Sequence, residues 1–270
     1  MIINHASRIT HHDMFEIPYD KTIHFLLIMI RISSFIMVAP FWSNTSINAR
    51  MKIGLSCFIS LIIMPFVSPV SPLPETVAAF LFLVLKQIFF GLFLGFISKL
   101  FIEGIRTASA ILDIQIGFAF GKVLDPAFGA QSSVVELFYS LITIIILLCT
   151  GGHILILKAI MQTFSLLPLD GAISISGSFA ENIIVMTGQI FIITLELAGP
   201  IIGVLFLIEI CMAIMAKMIP QMNVFMVELP LKMAAGIICI VFTLPFFPRM
   251  VSSLVEKMLE QFLFMAKSIQ

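Results

Sequence analysis

The chain has 270 residues, of which 60% are hydrophobic and 11% charged, with 15 Lys and Arg balancing 15 Asp and Glu and a mean hydropathy of +1.14. Soluble domains carry about 25% charged residues, so this composition excludes a soluble globular protein and points to an integral membrane protein. Zero net charge and scattered basic residues exclude a nucleic-acid binder, which needs a concentrated basic face.

Residues 1–24 form a polar lead-in with His5, Arg8, His11, His12, Asp13, Glu16 and Asp20 and no cleavable leader pattern. His11-His12 lacks a third ligand, so no metal site is expected. The first apolar run, about Phe25 to Trp42, carries Arg31 in its interior and ends at Pro40 and Trp42, an aromatic suited to a membrane interface. A basic turn with Arg50 and Lys52 leads to a second run, Ile53 to Val67, short for a full span, and then to Pro65, Pro69, Pro72 and Pro74. The third run, Thr76 to Ser98, contains Lys86 and Gly91-x-x-x-Gly95, a spacing that lets a second helix backbone approach. Beyond it Arg106, Ser109, Asp113 and Gly117 recur at helical intervals as one polar or small stripe.

That stripe runs into the most unusual stretch, Asp113 to Ser133, where Gly117, Gly121, Asp125, Pro126 and Gly129 predict a helix ending in a long loop. Irregular backbone at membrane depth is tolerated only against protein or a watery cavity. The stretch is therefore either a pore- or cavity-facing loop or an ordinary aqueous connection, and the residues alone leave both open. Val134 to Cys149 follows, then Gly151-Gly152-His153 and a run to Pro168-Leu169-Asp170-Gly171, readable as two half-length helices. Ile183 to Met218 exceeds one perpendicular span and should kink near Pro200. Pro220-Gln221-Met222-Asn223 turns the chain, Pro230 opens the next run to Phe247, and Arg249 to Lys267 reads as an amphipathic tail. The last two runs thus form a hairpin with its tip near Gln221.

Nine charges lie in or beside apolar runs: Arg31, Lys86, Glu103, Arg106, Asp113, Glu136, Lys158, Glu196 and Glu209. Each costs about 2.5–3.5 kcal/mol at the centre of an inserted helix. Either they line a substrate or ion path, or partner proteins cover the surfaces that bear them. Cys57, Cys149, Cys211 and Cys239 stand singly and are expected as small core residues, and the Met212, Met215, Met218, Met222 and Met226 stripe as core filling. No catalytic motif is present, so no enzyme and no cofactor are expected.

With these segments laid out, the chain resembles the FliR/SctT family of the flagellar and virulence-associated type III export apparatus, and the flagellar branch most. The carrying residues are Ala39-Pro40, Arg50-Met51-Lys52, Arg106-Thr107-Ala108, Gln115-x-Gly117-Phe118, Asp125-Pro126, Gly152-His153 and Leu167-Pro168. The densest match is Pro220-Gln221-Met222-Asn223-Val224-Phe225 with Leu229-Pro230-Leu231-Lys232 and Gly236. The chain departs from the family at Asn48, where Pro is frequent, and at Glu228, near a usual Gly.

The resemblance implies an all-α polytopic protein with a FliP-like part over residues 25–180 and a FliQ-like hairpin and tail over 181–270. It implies a non-enzymatic subunit of the inner-membrane export gate, assembled with FliP-like, FliQ-like and FlhB-like partners and passing unfolded exported proteins. It also implies a pore plug over residues 116–132, with Ile116, Gly117, Phe118, Phe120, Gly121, Asp125, Pro126, Phe128 and Gly129, and a hairpin tip at Pro220, Gln221, Asn223 and Phe225. The rivals are a virulence-type gate subunit and a small-solute secondary transporter with a helix broken near Gly117 and Gly151. Basic residues at Arg50 and Lys52, Lys99 and Arg106, and Lys217 and Lys232 favour those turns on the cytoplasmic side. The N-terminus is then outside if Val134 to Pro168 crosses once, and the parity flips if it crosses twice.

Overall fold

The computed structural model describes residues 19–40, 42–43, 47–70, 74, 76–119, 134–170, 178–221 and 223–268. The described elements are α-helices joined by short 3-10 turns and loops: α1 (Tyr19–Val38), α2 (Ala49–Ile63), α3 (Val77–Ile116), α4 (Val134–Cys149), α5 (Gly152–Leu166), α6 (Ser178–Met218), α7 (Val224–Thr243) and α8 (Phe247–Ser268). Five stretches are long and apolar enough to cross a membrane, and the α4–α5 pair, bent by 70°, makes a sixth broken one. The protein is an all-α polytopic membrane protein.

Helix ends follow local chemistry. Asn48, the departure noted above, caps α2 by accepting from the Arg50 amide, and Thr76 caps α3 by accepting from the Ala79 amide. Gly117 ends α3 in the left-handed region, at φ 102°, with its amide donating to the Asp113 carbonyl. Gly151, at φ 71°, makes the elbow between α4 and α5, so the glycine pair splits this stretch into two half-length helices.

Helix α3 is longer than its sequence suggests. The run ending at Ser98 and the polar stripe beyond it are one helix of 40 residues, because nothing between Ser98 and Ile116 breaks the backbone ladder. Ser98 and Ser109 return their hydroxyls to carbonyls one turn back and so cost the helix little. Helix α6 has 41 residues and passes through Pro200 without interruption. Pro230 likewise lies inside α7, which starts at Val224, so it does not open the helix as expected.

Small residues set the packing. A Cβ on Gly91 would strike the Arg31 carbonyl, and one on Gly95 would lie 2.8 Å from the Val38 side chain, so α1 and α3 meet along this pair and run parallel. Helices α3 and α6 cross as closely at Gly104, where a Cβ would lie 2.9 Å from Ile193 and Thr194 donates to the Gly104 carbonyl at 3.1 Å. Helix α7 returns antiparallel to α6 as the expected hairpin. The chain bends at Leu244–Phe246 and α8 re-enters the bundle, burying Val251, Leu254, Val255, Met258, Phe262 and Met265. The amphipathic C-terminal stretch is therefore core, not a tail.

Three further expectations change. Trp42 is buried and stands edge-on to Phe35, with ring centroids 5.9 Å apart, instead of facing an interface. Cys149 and Cys211 are exposed and so are not core residues. Of the methionine stripe, Met212 is buried, whereas Met218 and Met226 are 76% and 70% exposed. Apolarity alone does not tell a core position from an outer one.

Candidate functional site

The expected plug begins where α3 ends. Ile116, its last residue, is fully buried, Gly117 and Phe118 turn the chain, and Ala119 is helical again. Phe120, Gly121, Asp125, Pro126, Phe128 and Gly129 lie outside the described residues. The end of α3 is fixed from the hairpin side. Gly236 of α7 faces Ile116 so closely that a Cβ would lie 2.6 Å from Ile116 Cγ1 and 2.9 Å from Cδ1. One residue before, Gln115 Nε2 donates to Glu209 Oε1 at 3.2 Å, and the same oxygen receives Lys232 Nζ at 2.6 Å. Lys232 also pairs with Glu228 at 2.7 Å. Glu228, the second departure from the family, is thus half of a two-carboxylate clamp on one lysine. Asp113 is buried one turn above the end of the helix, where its carbonyl receives the Gly117 amide.

Two other groups of the nine charges come together. Arg31 is fully buried, and among the described residues its partners are not carboxylates: Nε donates to Gln87 Oε1 at 2.7 Å and Nη2 to the Leu167 carbonyl at 2.9 Å. Its guanidinium lies 4.3 Å from the Phe164 ring centre, a cation–π contact strengthened by desolvation. Lys86 points to the Leu169 carbonyl at 3.4 Å, and Gln87 Nε2 donates to the same carbonyl at 3.0 Å. The cluster pins the connector after α5 to α1 and α3. Its signal in the sequence was the Lys86-Gln87 pair within an apolar run, but nothing there named backbone carbonyls as the partners.

Arg106 joins α3 to α4, donating from Nε and Nη2 to Glu136 Oε1 at 3.1 and 2.8 Å and more weakly to Glu103 at 3.5 Å. Lys158 and Glu196 are brought to nothing: both are exposed on their helices. At the hairpin tip Pro220, Gln221 and Asn223 are exposed, as is Phe225 at 54%. Among the described residues no group of three His, Cys, Asp or Glu is placed to hold a metal ion.

Among the described residues the geometry is a bundle whose interior charges fix helices and the end of α3. Residues 22–258 match the family model described as bacterial export proteins, family 1. The chain belongs to this family. It is similar to the flagellar biosynthetic protein FliR of Bacillus subtilis (strain 168), with 32% identity over 219 residues covering 80% of this chain and 84% of that one. FliR of Pectobacterium carotovorum subsp. carotovorum is 32% identical over 81% of this chain and 83% of its own. FliR of Escherichia coli (strain K12) is 29% identical over 77% and 79%. As a family member, the polytopic chain is a membrane component of a bacterial export apparatus, and each of the charge clusters above lies within the matched span.

Proposed function

We propose that the chain is a structural subunit of the inner-membrane export gate of a flagellar type III system, forming part of its protein-conducting pore, with residues 117–132 as a movable seal. The observation that carries this reading is the length of α3 and α6. At 1.5 Å per residue their 40 and 41 residues reach about 60 Å, roughly twice a bilayer's hydrocarbon core of about 30 Å. On α6 exposed apolar side chains extend from Phe191 to Met218, about 40 Å along the axis, more than lipid alone covers. Such a surface fits a helical assembly in which neighbouring subunits cover what the membrane does not.

The partners in this reading are FliP-like, FliQ-like and FlhB-like subunits, with unfolded exported proteins as the passengers. Residues 25–180 take the FliP-like place, and 181–270 the FliQ-like place, with α8 stitched back into the first part. The names of the similar proteins favour the flagellar over the virulence branch. At the seal, glycines permit a change of path, while Phe118, Phe120 and Phe128 exclude water in the closed state.

Two measurements test the reading. Intact mass of the protein purified from its native membrane in mild detergent should give one copy with several small helical partners. A lone monomer in every detergent would overturn it. Deleting residues 121–128 should leave the assembly intact and make the membrane leak small ions, and an assembled, ion-tight deletion would refute the seal.

A further inference from the structure

A cavity of about 540 Å³ opens between α3, α4, α5, α8 and the end of α1. This is within the roughly 300–1,000 Å³ of ligand pockets, and its lining mixes apolar and charged side chains. Much of the wall is Phe35, Leu147, Ile156, Leu254, Val255 and Met258. Ser98 and Thr143 also line it, but each donates its hydroxyl to its own helix, to the Leu94 and Tyr139 carbonyls, and so offers the cavity mainly carbon. Lys99, Glu103 and Arg106, one turn apart along α3, and Glu136 of α4 line it as well.

These four charges are not equivalent. Arg106 and Glu136 satisfy each other through two short hydrogen bonds. Lys99 and Glu103 sit one turn apart on α3 yet form no ion pair with each other, and among the described residues Glu103 is held by the 3.5 Å contact to Arg106. The lining therefore presents one cation, Lys99, and one anion, Glu103, a turn apart on α3 beside apolar side chains.

We propose that this cavity holds an acyl chain of a zwitterionic glycerophospholipid bearing a primary ammonium, with its phosphate at Lys99 and its ammonium at Glu103. An anionic lipid satisfies Lys99 but meets Glu103 as a like charge. A quaternary ammonium lipid balances the charge but gives Glu103 no hydrogen bond. The preferred order is thus phosphatidylethanolamine over phosphatidylcholine and phosphatidylglycerol.

The test is native mass spectrometry of the full chain, alone and in the complex isolated from membranes, after exchange into detergent with each of the three lipids. The unaltered protein should retain phosphatidylethanolamine in both forms. Lys99→Ala should weaken retention of all three by about tenfold, the loss of one charge-assisted contact. Glu103→Gln should remove the preference for phosphatidylethanolamine over phosphatidylglycerol. Ser140→Phe, filling the cavity from α4, should reduce retention whatever the headgroup. Lys99→Ala and Glu103→Gln alter exposed or half-exposed side chains and keep the test open should Ser140→Phe misfold. No retained lipid, an unchanged order in Glu103→Gln, or lipid kept by the free chain but absent from the complex would overturn the proposal, the last by giving the cavity to a partner's side chains.

Discussion

Substituting Gly236 by alanine probes the end of α3 most directly. The new methyl group would sit 2.6 Å from Ile116 Cγ1, 2.9 Å from Cδ1 and 3.0 Å from Cγ2, three atoms of one stiff β-branched side chain. Ile116 is fully buried and has no room to turn away. Overpacking of this kind costs about 1–3 kcal/mol, more than the roughly 0.8 kcal/mol gained by burying one more carbon. Gly236→Ala should therefore lower the thermal unfolding midpoint of the detergent-solubilised protein by about 2–6 °C. Ile116→Ala alone opens a void and should cost about 2–5 kcal/mol. In the double variant the alanine at Gly236 sits in the space vacated by Ile116, so its cost should fall short of the sum of the two single costs by about 1–3 kcal/mol. Two costs that add to within about 0.5 kcal/mol would refute the contact. On the export-gate reading, Gly236→Ala should also raise ion leakage through the assembled complex, because displacing Ile116 displaces Gly117.

Other substitutions test the remaining clusters. Gly117→Ala forces a Cβ into the left-handed region at φ 102° and should cost about 1–2 kcal/mol, measured by thermal unfolding, with faster protease cleavage after Gly117 as a second readout. Arg31→Met leaves the Leu167 carbonyl and Gln87 Oε1 without their donor and should cost about 1–3 kcal/mol, and Arg31→Lys should not restore it, since an ammonium lacks the fork that reaches both. A fully stable Arg31→Lys protein would show that charge alone suffices there. Lys232→Met leaves Glu209 and Glu228 facing each other and should loosen the hairpin, seen as faster amide exchange in α7, whereas Glu228→Gly should change stability by about 1 kcal/mol or less.

Much of the architecture was legible because apolar runs, glycines and prolines act locally. Gly151-Gly152 announced the elbow, and Pro220-Gln221-Met222-Asn223 the hairpin tip, without knowledge of any distant residue. What was not legible depends on contacts far along the chain. The donor to the Leu167 carbonyl is Arg31, 136 positions away, and a search for opposite charges finds nothing, because the acceptors are a carbonyl and an amide. Helix α8 showed its amphipathic face in the sequence, but amphipathy does not say whether that face meets a bilayer or, as here, Phe35 and Tyr139 through Phe262 and Phe247. The outward position of Met218, Met226, Cys149 and Cys211 was hidden for the same reason. In a chain with two apolar environments, hydrophobicity marks burial in something without naming it.

The nine charges acquire a different weight once their surroundings are known. Taken singly, each is an insertion cost of about 2.5–3.5 kcal/mol. In the folded chain Arg31 and Lys86 are neutralised in effect by oriented carbonyls and a ring face, Arg106 answers Glu103 and Glu136, and Glu209 answers Lys232 and Gln115. These clusters lie at helix junctions: the connector after α5, the α3–α4 contact and the end of α3 against α6 and α7. Polar contacts fix one register where apolar helices alone slide, so the charges specify the bundle more than they stabilise it. Glu196 differs, standing on the outer face of α6 beside Phe191 and Leu195, which are 74% and 70% exposed. Lipid gives a carboxylate no partner there. On the export-gate reading that position is therefore where a neighbouring subunit brings a donor to α6.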